Sequence, residues 1–313
     1  MRLYYQRRSA TCYYAASAPD SRLTKMMQAR KSRTISVLVA FLVGLGIALP
    51  MRAQTVENAL DRSYRAMYNL NFDEALKTAE AAKTLDENDP LPWMAQSCAI
   101  LFREFDRLHI LTSELFVSDE KFNARTAQNW DPESRKEFDT ALNGADKLAQ
   151  HRLEGDKNDL KALFALTIIN GLRADDAALI EKKNLNALAF THAANSYAER
   201  LLGRAPDYYD AYLATGMGKY IIGGKAAPVR WMLRLGGFKG DQEQGIKELT
   251  LVAEHGRYLA PFARILLAFD DLRHKDNAAA RKKLVWLSAQ FPNNGHFAEE
   301  MNKLDHPSSG AEQ

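Results

Sequence analysis

Apolar residues recur along this chain at spacings of three and four from residue 55 onward. Leu60, Tyr64, Met67 and Leu70 fall on one helical face, and Ala75, Leu76, Ala79 and Ala82 on the next. The same period predicts helices over about 91–113, 133–153, 160–172, 185–203, 208–222, 241–254, 258–273, 277–290 and 296–304. No stretch shows the β-branched alternation of a strand. Punctuation between the helices is of one kind. In Arg204-Ala205-Pro206-Asp207-Tyr208 the proline cannot continue a helix, and Asp207 is placed to cap the following one. Gly216, costly inside a helix, implies close approach of a neighbouring backbone. Residues 115–132 and 223–240 break the rhythm, and the former reads as irregular.

Paired helices with a turn every thirty-odd residues indicate an all-α helical solenoid. Phe72-Asp73-Glu74-Ala75-Leu76 with Ala82 resembles the second-helix consensus of the tetratricopeptide-repeat family. Tyr212 and Gly216, following Pro206, sit where that family has its first-helix aromatic and small residue; Ala280, Leu284 and Pro292 resemble a last repeat. The resemblance implies a right-handed TPR-like solenoid of about five hairpins over residues 54–304, closed by a C-terminal capping helix. A narrower likeness covers about 206–294. There Gly237-Phe238-Lys239-Gly240-Asp241 before Gly245-Ile246-Lys247-Glu248-Leu249 is similar to a segment of tetratricopeptide-repeat-39/Iml2-type proteins. It implies a scaffold and carries over no catalytic residue.

The N-terminal segment changes the picture of charge. Residues 1–53 hold nine of the 42 Lys and Arg and one of the 39 Asp and Glu, leaving 33 basic and 38 acidic residues beyond. A mildly acidic remainder argues against nucleic acid as partner. Residues 26–53 follow the plan of a secretory signal peptide: a basic flank from Arg30 to Arg33, an apolar run over 35–49, then Pro50-Met51-Arg52-Ala53. Export to the periplasm or beyond is the expectation, with an uncleaved N-terminal anchor as the alternative. Residues 1–25 fit no part of a signal and read as an upstream extension, translation starting at Met26 or Met27; residues 305–313 read as a frayed tail. Cys98, left alone once that segment is gone, lies in an apolar run and reads as a packing thiol.

Candidate chemistry is sparse. None of the seven histidines lies three or four residues from another, so no helical metal pair forms. Gly216-Met217-Gly218 with Gly223-Gly224 lacks the Gly-Lys-Ser/Thr ending of a phosphate loop. Asp270-Asp271 and Glu299-Glu300 read as solvated faces rather than converging acid–base pairs. The expectation is a non-catalytic protein without cofactor, metal or small-molecule substrate. Binding in a solenoid usually lives on the concave face. The resemblance places its groove positions at Asp210, Leu213, Met217 and Tyr220, a set that suits an apolar peptide or amphipathic helix of a protein partner, or is simply core. The 223–240 insertion interleaves Arg230, Trp231, Arg234 and Phe238. It reads as a space-filling helix, as a lid over the groove, or as a surface that meets anionic lipid at the cell envelope. A hydrolase with a dispersed site is the remotest alternative.

Overall fold

Where the sequence repeats its three-and-four spacing, helices form, and the bounds follow the pattern closely. The computed structural model describes residues 55–224 and 240–306, all within one unit, Gln54–Gln313. The predicted signal segment, the 1–25 extension and the tail beyond 306 lie outside the described residues. So do Arg230, Trp231, Arg234 and Phe238 of the insertion. In chain order the helices are α1 (Val56–Tyr68), α2 (Phe72–Lys83), α3 (Leu91–Arg107), α4 (Ser113–Val117), α5 (Asp119–Ala124) and α6 (Pro132–Gly155). After them come α7 (Leu160–Asp175), α8 (Asn184–Leu202), α9 (Tyr212–Gly223), α10 (Gln242–His255), α11 (Ala260–Arg273), α12 (Asn277–Gln290) and α13 (Gly295–Asp305). A π turn, Asp176–Ile180, follows α7 directly, and a 3₁₀ turn, Tyr209–Ala211, leads into α9. No strand occurs among the described residues; the protein is all-α there.

Helix starts are fixed by short polar side chains that satisfy free backbone N–H groups. Asn71 accepts from Glu74 N, Asp131 from Ser134 N, Asp159 from Ala162 N and Asp276 from Ala279 N, at 2.8–3.3 Å. Three helix ends share another device. Leu70, His109 and Lys275 take left-handed φ of 59°, 53° and 62° after α1, α3 and α11. The next N–H in each case then reaches back five residues, to Ala66, Phe105 and Asp271. This is the Schellman closure, built here without glycine at a local cost of about 1 kcal/mol each. It explains why the α1–α2 turn is so tight, and why α3 stops at Arg107 instead of running to 113.

Two expectations about the loops are corrected. Asp207 does not cap a helix: the chain enters α9 through the 3₁₀ turn, with no side-chain cap at either start. Residues 115–132 are not wholly irregular, since α4 and α5 fold there. Pro206 and Pro292 do sit in turns. At the α9–α10 crossing, a Cβ on Gly245 would lie 2.7 Å from Gly216 O and from Tyr220 N. A side chain at either glycine would force these helices apart.

Successive helices pack on one another, α1 on α2, α7 on α8, α9 on α10 and α11 on α12. Added to this are contacts between distant parts of the chain. The Tyr64 ring stacks on Tyr258 with centroids 5.2 Å apart, and Tyr68 Oη donates to Tyr258 O at 3.0 Å. Asn294 Nδ2 donates to Tyr68 O at 2.9 Å, and Arg257 clasps Asp61 with two bonds of 2.8 and 2.9 Å. Further along, Ser113 at the start of α4 donates to Glu300 of α13 through both its backbone N–H and its hydroxyl. Glu300 is therefore buried, contrary to its reading as part of a solvated face; Glu299 beside it is exposed. The first helix thus meets the turns that flank α11 and α12, and the inner faces of the helices surround a common interior.

Candidate functional site

The most apolar helix lies at the centre of the site. In α7 nearly every position from Ala162 to Leu172 is buried, as expected of a helix covered on all sides. It packs against α3, α6, α8 and α9. Its C-terminal half, with the inner faces of α1, α3, α8, α9, α11 and α13, lines a partly open cavity of about 220 Å³. Aliphatic and aromatic side chains make most of the wall, among them Phe102, Ile168, Leu172, Met217, Phe262 and Phe269.

Among the described residues ten polar side chains reach the cavity wall, and eight of them already have partners in the protein. Tyr68, Asn294 and Glu300 make the bonds described above. Thr167 and Thr191 donate back to Leu163 O and Ala187 O, both at 2.8 Å. His296 Nε2 lies 2.6 Å from Asp106 Oδ1. Tyr64 Oη and Cys98 Sγ are 3.4 Å apart. Burial pushes the Cys98 thiol up to about 12, with the Asp175 charge adding to the effect against the Tyr64 hydrogen bond. The sulfur therefore stays protonated and inert, in keeping with the packing role read for it.

The two that remain are Asp175 and Asn195. Asn195 Oδ1 is buried and has no hydrogen-bond partner. Asp175 ends α7, immediately before the π turn, a feature frequent at functional sites. The turn separates two consecutive carboxyls. Asp176 is taken up by Trp130 Nε1 and Arg135 Nη1, each at 2.8 Å. Asp175 lines the cavity instead, and among the described residues no cation or donor pairs with it. Burial first, then the neighbouring Asp176 charge, raises its carboxyl to about 7. The negative end of the α7 dipole acts in the same direction.

The candidate residues read from the sequence separate into three groups. Leu213 and Met217 line the cavity. Asp210 does not: it is 4% exposed and accepts from Arg257 N, Tyr258 N and Leu259 N at 2.9–3.3 Å. Its carboxyl holds the turn into α11. Tyr220 also stands off the wall, donating to Asp270 Oδ1 at 2.6 Å, and burial followed by the Asp270 contact raises its phenol. Arg230, Trp231, Arg234 and Phe238 lie outside the described residues. Asp175 and Asn195 were missed; the signal available was a pair of acids closing an otherwise apolar helix.

Among the described residues no group of three or more His, Cys, Asp or Glu is placed to hold a metal ion. No described helix is long and apolar enough to cross a membrane. No family model matches the chain, and neither does any curated protein or solved structure.

Proposed function

We propose that the chain is an exported, non-catalytic binding protein whose TPR-like hairpins succeed one another around an apolar cavity, and that this cavity takes an apolar ligand. The supporting observation is the wall itself, mostly apolar side chains with, among the described residues, only two polar groups free of partners. Ligand pockets have this composition, a largely apolar concavity with a few placed polar groups. Size narrows the occupant. A concavity of about 220 Å³ suits a single apolar chain or side chain, so a protein or peptide partner would enter by one apolar anchor.

The test is a thermal-shift titration of the full-length protein with n-octanol, which carries an apolar chain of fitting length and no charge. Saturable stabilisation is expected, growing with ligand as RT ln(1 + [L]/Kd). Met217→Trp, which fills the cavity from α9, should abolish the shift while keeping the helical signal. A wild-type protein that octanol never stabilises would overturn the proposal.

A further inference from the structure

Among the described residues, two acceptors at the cavity wall lack a donor, the Asp175 carboxyl and Asn195 Oδ1. Asp175 supplies a carboxyl at the end of α7, and Asn195 supplies Oδ1 from α8, the helix packed on α7. The unpaired polar groups of a site indicate what its ligand must bring, because a buried acceptor without a donor costs more than the bond would yield. An alcohol brings one donor and a carboxylate brings none. A primary ammonium brings three donors and a positive charge, and has no acceptor of its own.

We infer that the ligand is an amphiphilic amine, with its apolar body among Phe102, Ile168, Met217 and Phe262 and its ammonium on Asp175 and Asn195. This rests on the apolar-ligand reading above and specifies its head group. The walls support the sign of the charge. The other ionisable groups lining the cavity are the phenols Tyr64 and Tyr68, the Cys98 thiol, His296 and Glu300. Glu300 is held by Ser113 and Lys303, His296 by Asp106, and Asp176 next to Asp175 is held by Arg135 and Trp130. No Lys or Arg among the described residues lines the cavity to compete with an incoming cation for Asp175.

The experiment compares n-octylamine, n-octanol and octanoate on the full-length protein by isothermal titration at pH 8. The expected order is amine at least tenfold tighter than alcohol, and octanoate weakest. Asp175→Asn, nearly isosteric, should cost the amine at least tenfold more than it costs octanol, with helicity checked by circular dichroism. A second readout needs no variant. Alkylammonium stays protonated throughout, near the lysine value of about 10.4, whereas Asp175 takes up a proton below about 7. Lowering pH from 8 to 5.5 should weaken the amine roughly thirtyfold, by the change in ionised carboxylate alone, and should move octanol far less. Octanol binding with no preference for the amine, an Asp175→Asn variant that keeps the preference, or octanoate as the tightest probe would each overturn the head-group inference and leave the cavity reading intact. If none of the three probes binds, both fall together.

Discussion

Two carboxyls, the buried Asp210 and the half-buried Asp175, occupy similar stations and do opposite things. Each sits at a helix junction in apolar surroundings, and burial raises each of them above the usual carboxylate range. Asp210 meets three backbone N–H groups from the turn before α11, which pull its pKa back toward normal. Asp175 meets only another acid's charge. The first is a structural clasp in which each donor has an acceptor. The second is a group whose burial the fold leaves uncompensated, and such groups are where binding is to be sought. Glu300 sharpens the contrast, since it reaches the same cavity as Asp175 yet is engaged by Ser113 and Lys303.

The largest effect should come from breaking the clasp. Asp210→Ala removes the acceptor of three buried N–H groups, and each orphaned donor costs about 1–3 kcal/mol. A loss of at least about 3 kcal/mol in urea unfolding is expected, with Asp210→Asn falling between the variant and the wild type. A loss under about 1 kcal/mol would remove the distinction between the two acids. Next in size is Ser113→Ala, which takes one hydrogen bond from a buried carboxylate and should cost about 1.5–3 kcal/mol. Its α4–α13 contact is local, so octanol binding serves to check that the cavity survives.

How far the sequence could have led depends on range. Helix positions were legible because the apolar period is local, and α10, α12 and α13 lie within a residue of their predicted bounds. The close approach at Gly216 was legible because a glycine inside a helix has few other reasons to be there. The tight ends at Leu70, His109 and Lys275 were not, because none of the three is the glycine that usually marks a left-handed helix end. Asp210 was read as a groove position, since its three partners lie 47–49 residues away and the periodicity of α9 carries no trace of them. Asp175 went unremarked for the complementary reason. Asp175-Asp176 looks like an ordinary polar helix end until the π turn sends one acid to Arg135 and Trp130 and the other to the cavity.

The Asp175 side of the comparison yields a smaller effect of opposite sign. Its folded-state pKa of about 7 lies above the unfolded value of about 3.9. Between those limits the folded protein holds the proton more often than the unfolded chain. Stability is therefore drained as pH rises from 4 to 7 and levels off above. Asp175→Asn cannot ionise, so it should match the wild type near pH 4 and exceed it by about 2 kcal/mol at pH 8, after discounting for water that reaches the cavity. Denaturation at both pH values reads this directly. A variant less stable at pH 8 would mean that Asp175 has a partner after all.

Tyr220→Phe makes the smallest change and tests the boundary of the site. Tyr220 belongs to the same helix as Met217, and its phenol donates to Asp270 away from the cavity wall. Deleting that hydroxyl removes one hydrogen bond, worth about 1 kcal/mol, and touches neither unpaired acceptor. Unfolding should show that modest loss, while octanol and octylamine affinities stay within twofold of wild type. If the affinities fell with stability preserved, the binding surface would extend along α9 beyond the cavity, and the unpaired acid would no longer mark its functional end.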